Sequence, residues 1–190
     1  FRVFPRLATI EALRLMQRPA TSRVDFDLAR TIATREGIKA VLDGDIVSHG
    51  GRYIVTTRLM SASGEQLATF NEEAASDNDL IPAIGRLGKQ VRTKAGESLK
   101  LVREAGALDR VTTSSLDALR KYAAANLLFD QTFDYVQVIP LLKEAVAIDS
   151  TFAMAWRRLA SYYNNTFRFS EARAASIQAF KYADRVSETA

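Results

Sequence analysis

The 190 residues are 47% hydrophobic and carry 26 basic and 22 acidic side chains, a net charge of +4, enough apolar material for one sizeable domain or two small ones. Cysteine is absent and His49 is the one histidine. This excludes disulfides, thiolate metal sites and cysteine nucleophiles, and leaves neither a histidine cluster nor a catalytic triad to build. Residues 1–104 hold 16 basic and 13 acidic residues, and residues 105–190 hold 10 and 9, so no basic tail or domain points to nucleic acid.

In chain order, "FRVF" reads as a short strand that Pro5 ends. "ATIEALRLMQ" follows as a helix with Ile10, Leu13 and Met16 on one face. Asp25 is placed to cap a second helix carrying Leu28, Ala29, Ile32 and Ala33, with Gly37 suited to its left-handed end. From Ile38 the period changes to two and β-branched residues dominate, with turn residues at Gly50-Gly51 and Ser63-Gly64, which predicts a three-stranded antiparallel meander. A two-residue turn at Gly50-Gly51 pairs His49 with Arg52, Leu42 with Leu59, Ile46 with Val55, and Asp43 with Arg58. The apolar pairs are expected to face helices, with the ion pair on the opposite face. His49 then lies at a solvated hairpin tip.

A long helix is predicted from Asp79 to about residue 104, burying Ile84, Leu87, Val91, Ala95 and Leu99 or Val102, with Arg86, Lys89, Arg92, Lys100 and Arg103 in solvent. "GRLGKQ" lacks the spacing and the hydroxyl of a phosphate loop. Asp43 and Asp45 lack the other ligands of a calcium loop, and the neighbours Glu72 and Glu73 point oppositely. No catalytic residue, metal site or cofactor is expected. Gly106 and the small polar residues after it mark a boundary, giving a domain at 1–104, a linker at 105–114 and a helical part at 115–190.

In "TFAMAWRRLASYYNN", Trp156, Leu159 and Tyr163 share one helical face. One period of 34 residues upstream lie Tyr122, Ala125 and Phe129. The same step relates Ala179 to Ala145, Ala172 to Val138, Phe169 to Tyr135 and Phe167 to Phe133, positions expected to pack one helix on the next. This register resembles the tetratricopeptide repeat. Asn126 and Ala160 stand where that family prefers glycine, Ser150 where it prefers proline, and Pro140 falls inside the second helix of unit one, so the pair is degenerate.

Residues 1 to about 100 resemble the amino-terminal domain of TolB-like proteins, through "FRVFPR", Val41, Leu42, Gly44, Asp45, Ile46, the strand from Tyr53 to Leu59, and Gly64, Glu65 and Leu67. The resemblance implies an α+β chain, with an N-terminal α/β domain holding a β-meander followed by all-α helical hairpins. That family starts with a further strand and helix, so an exposed sheet edge beside "FRVF", able to support a homodimer, is expected.

The combination looks like the carboxy-terminal, non-kinase region of bacterial serine/threonine protein kinases. Related adenylate cyclases and winged-helix regulators share it, and a free-standing enzyme with an unrecognised site is the contrasting reading. The kinase resemblance implies an excised, non-enzymatic sensor region. It would lie outside the cytoplasm in an inner-membrane protein, bind a protein or peptide, and touch neither nucleic acid nor the membrane directly. By likeness to the repeat family, the ligand face comprises Arg120, Ala123 and Leu127 of the first unit with Met154, Arg157, Ser161 and Asn164 of the second. Its arginines suit an acidic or carboxylate-bearing peptide.

Overall fold

The computed structural model describes residues 3–96 and 112–185. It is α+β, a three-stranded antiparallel sheet with helices around it followed by a run of helices, and it divides into two compact units, Phe1–Glu104 and Ala105–Ala190.

In the first unit, α1 (Arg6–Leu15) and α2 (Phe26–Arg35) bury Ala12, Leu13, Leu28 and Ile32 against one another. Asp25 caps α2 by accepting the Leu28 N–H at 2.9 Å, and Gly37 takes the left-handed conformation (φ 66°) beyond its end. The sheet is β1 (Ala40–His49), β2 (Arg52–Ser61) and β3 (Gln66–Ala74) in that order. Both turn glycines have positive φ, 58° and 79°, which is what sets the register of the first hairpin. Leu42 faces Leu59, Ile46 faces Val55 and Asp43 faces Arg58, as expected. The Arg58 guanidinium reaches Asp43 at 2.9 Å and also Asp45 at 2.6 Å, and hydrogen bonds to those carboxylates, Asp43 first, raise its pKa.

Five expectations for this unit need correction. Val3 and Phe4 form no strand: Val3 is 74% exposed, and Phe4, directly ahead of Pro5, packs on the apolar α1–α2 cluster in place of a strand partner. The open sheet edges among the described residues are therefore β1 and β3, not one beside "FRVF". Val55 is buried, yet its partner Ile46 and Leu42 are 52% and 56% exposed. The long helix α3 (Asp77–Lys94) packs on β3 and β2 and leaves that side of β1 uncovered.

Helix α3 buries Leu80, Ile81, Ala83, Leu87 and Val91, whereas Ile84 is 38% exposed and Ala95 caps the end in solvent. The buried arc is rotated from the predicted one by the pull of Leu80 and Ile81. Arg86 is no bystander either. It donates to Glu72 on the sheet at 2.6 Å, and Gln90 joins the same carboxylate at 2.7 Å. Leu99, Lys100, Val102, Arg103, Phe1 and Arg2 of the expected strand, and 105–111 of the expected linker lie outside the described residues.

Among the described residues, the second unit is a run of four helices, each packed on the next: α4 (Leu116–Thr132), α5 (Tyr135–Ile148), α6 (Ala153–Asn165) and α7 (Phe169–Lys181). A 3₁₀ turn at Ala183–Arg185 follows. Its core is continuous, with Ala125, Val138, Leu142, Ala145, Phe152, Ala155 and Leu159 almost completely buried. Pro140 sits within α5 without breaking it. The carbonyl its missing N–H would have bonded belongs to Val136, which is 67% exposed and can turn to water.

The loops of this unit recur at the 34-residue spacing. The Thr132 hydroxyl donates to the Leu128 carbonyl and the Thr166 hydroxyl to the Tyr162 carbonyl, both at 2.9 Å. The next residues, Phe133 and Phe167, are both left-handed, with φ 52° and 60°. They were expected to pack between helices. Instead they are turn residues, 57% and 80% exposed, because a left-handed residue ending one helix points away from the crossing. Left-handed backbone costs a residue with a Cβ about 1–2 kcal/mol. Phe167→Gly should therefore raise stability by about 0.5–1 kcal/mol after the glycine's own entropy loss. Phe167→Ala should give no such gain, and thermal midpoints of the two variants check it.

Candidate peptide-binding face

All seven predicted residues lie on α4 and α6, at spacings that keep each set on one side of its helix. Ser115 starts α4 by accepting the Ala118 N–H at 3.2 Å, which fixes the phase of Arg120, Ala123 and Leu127. Leu127 is 52% exposed, a large apolar group open to solvent. Ala123, Arg157, Ser161 and Asn164 are exposed, whereas Met154 is half-buried and packs on the core. Arg120 is not a bare cation: its Nη1 donates to Asp117 at 2.9 Å one turn back. Trp156 is half-buried, and its indole N–H donates to the Ser150 carbonyl at 2.8 Å in the loop between α5 and α6.

What joins α4 to α6 is an aromatic layer beneath this face. Phe129 stacks on Tyr162 with ring centroids 5.0 Å apart and an interplanar angle of 29°. Tyr122 meets Phe152 at 5.0 Å. Arg158 lies over both Tyr122 and Tyr162, at 5.6 and 5.9 Å, and donates to the Tyr162 hydroxyl at 3.3 Å. Burial raises the Tyr162 pKa, opposed by the nearby Arg158 charge. Asn126, on α4 beside this layer, has a shielded Oδ1 with no hydrogen-bond partner, a costly arrangement for a buried acceptor.

Arg158, Tyr162 and Asn126 were not among the predicted site residues. A signal for them was present: Arg158 and Tyr162 are four apart, beside the Trp156–Leu159–Tyr163 stripe. A single-stripe reading discards them, because it assumes one neighbouring helix where α6 has contacts on several sides. Arg158 also changes the electrostatics of the face, since its charge is held among rings beside Arg157. A hollow of about 440 Å³ in the unit lies elsewhere. It is wide open, runs along α5 to the start of α7, and is lined by Val136, Ile139, Pro140, Lys143, Glu144 and Arg168; none of the seven residues lines it.

Among the described residues, no cluster of acidic and histidine side chains could hold a metal, and no helix is long and apolar enough to cross a membrane. Compared with family models, with curated proteins and with solved structures, the chain matches none.

Proposed function

We propose that this chain is a non-enzymatic protein-interaction region of a bacterial signalling protein, and that the α4–α6 face takes an extended peptide. The observation that carries the reading is the 34-residue recurrence of helix-ending hydroxyl bonds and left-handed phenylalanines. It supports two tetratricopeptide-like hairpins, a geometry that repeats a first-helix face and so presents side chains in register to an extended chain. Arg157 and Arg120 supply cationic donors, Leu127 an apolar contact, and Ser161 and Asn164 groups able to bond a peptide backbone.

The parent is proposed to be a membrane-anchored serine/threonine protein kinase, with this chain as its sensor region outside the cytoplasm. That part rests on the joint TolB-like and repeat resemblance. A full gene product with a kinase domain and an apolar span ahead of these residues is the expected finding. A cyclase or DNA-binding domain there would instead place the same face in a cytoplasmic regulator.

The binding claim is tested by a peptide array probed with the native chain and with an Arg120→Ala, Arg157→Ala double variant. Acidic or C-terminal carboxylate peptides should be retained by the native chain and bind the variant at least about tenfold more weakly, as the loss of two charge-assisted contacts requires. Equal binding by both, or retention of no peptide, removes this face from consideration.

A further inference from the structure

Helix α5 is packed between α4 and α6, whereas the contact of α7 is with α6. The difference shows residue by residue at positions 34 apart. On α5, Ile139, Leu142 and Val146 are 4%, 0% and 7% exposed. Their counterparts on α7, Arg173, Ser176 and Phe180, are all exposed, Phe180 at 83%. Phe169 and Ile177, 61% and 57% exposed, extend the same row. At 3.6 residues per turn these five fall within about 100° of arc, so they form one open stripe. An exposed apolar row of this size on one helix face marks a contact surface.

We infer that the stripe packs against the same stripe of a second copy, with the two α7 helices antiparallel and crossing between Ser176 and Ile177. Self-complementarity selects this occupant. A two-fold axis at that point sets Ser176 opposite Ile177, small against large, and Arg173 opposite Phe180, a cation against a ring face. It also places Asp184, about one helical turn beyond Phe180 of the same chain, within reach of the long side chain of the partner's Arg173, which sits opposite that Phe180. Arg173, Ser176, Ile177 and Phe180 thus each meet a complementary residue, and each contact occurs twice.

A single helix crossing is at the small end of stable interfaces, so dissociation at about 10–100 µM is expected. Sedimentation equilibrium of the 190-residue chain over about 5–500 µM spans that range. The native chain should dimerise, and Phe180→Asp should weaken association at least about tenfold while leaving the circular dichroism spectrum unchanged. Ile46→Asp, on the exposed edge of β1, should leave it intact. Arg173→Asp should weaken the dimer, and adding Asp184→Arg should restore it. A chain that stays monomeric throughout overturns the inference and assigns the stripe to a helix from elsewhere in a longer protein or from another protein. So does a dimer indifferent to Phe180→Asp. Failure of the charge swap to restore association overturns the antiparallel crossing.

Discussion

Phe152→Ala should destabilise the helical unit by about 3–5 kcal/mol, the range for deleting a fully buried ring. Phe152 stands immediately ahead of α6 and is 0% exposed, with its ring 5.0 Å from Tyr122. Its carbonyl accepts the N–H groups of Ala155 and Trp156 at 3.1 and 3.2 Å. The alanine variant keeps that backbone start, so the loss reports side-chain packing. Phe152→Leu should cost about half as much, since volume is partly kept. Urea denaturation followed by the fluorescence of Trp156, the one tryptophan, reads this unit specifically. A cost below about 1 kcal/mol would show that the core closes over the gap, against the close packing described. Trp156→Ala, which the sequence stripe alone ranks as the core substitution, should cost less than Phe152→Ala, because the indole keeps part of its surface in water.

Asp149→Ala should cost about 2–4 kcal/mol. Asp149 follows the last residue of α5, and its carboxylate ties together two loops: Oδ1 accepts the Thr151 N–H at 2.9 Å and its hydroxyl at 2.7 Å, and Oδ2 accepts the hydroxyl of Thr113 at 2.5 Å. Thr113 is 0% exposed, so removing the acceptor strands a buried donor, which costs more than the bond itself is worth. Asp149→Asn keeps one acceptor oxygen and should fall between. The check is a double-mutant cycle with Thr113→Val. If the two groups are coupled as drawn, Thr113→Val costs less in the Asp149→Ala background than in the native chain. Strict additivity would show that the bond contributes nothing.

Neither Phe152 nor Asp149 stands out in the sequence. Phe152 lies just outside the periodic run that defines α6, so a helical-face argument does not reach it. Asp149 reads as an ordinary turn residue until Thr113, 36 positions away, is brought beside it.

The meander shows how far local information carries. Two consecutive glycines admit a turn that few other pairs can form, and the turn sets every cross-strand pair from Ala40–Ser61 to His49–Arg52. Asp25 and Gly37 bound α2 for the same reason: caps and left-handed ends are decided within four residues. The 34-residue spacing likewise placed Phe133 with Phe167, because it records a geometry that each segment adopts by itself.

Which side of each element is covered was decided only in three dimensions. Periodicity identifies an apolar face but not the neighbour that covers it, so Ile46 and Leu42 share the face of buried Val55 and still meet solvent where α3 ends its reach. The same limit hid the partnership of Arg86 with Glu72 and the seat of Arg158 over Tyr122 and Tyr162. Charge and ring contacts between residues far apart in the chain depend on how elements pack, and a hydrophobic pattern carries no term for them.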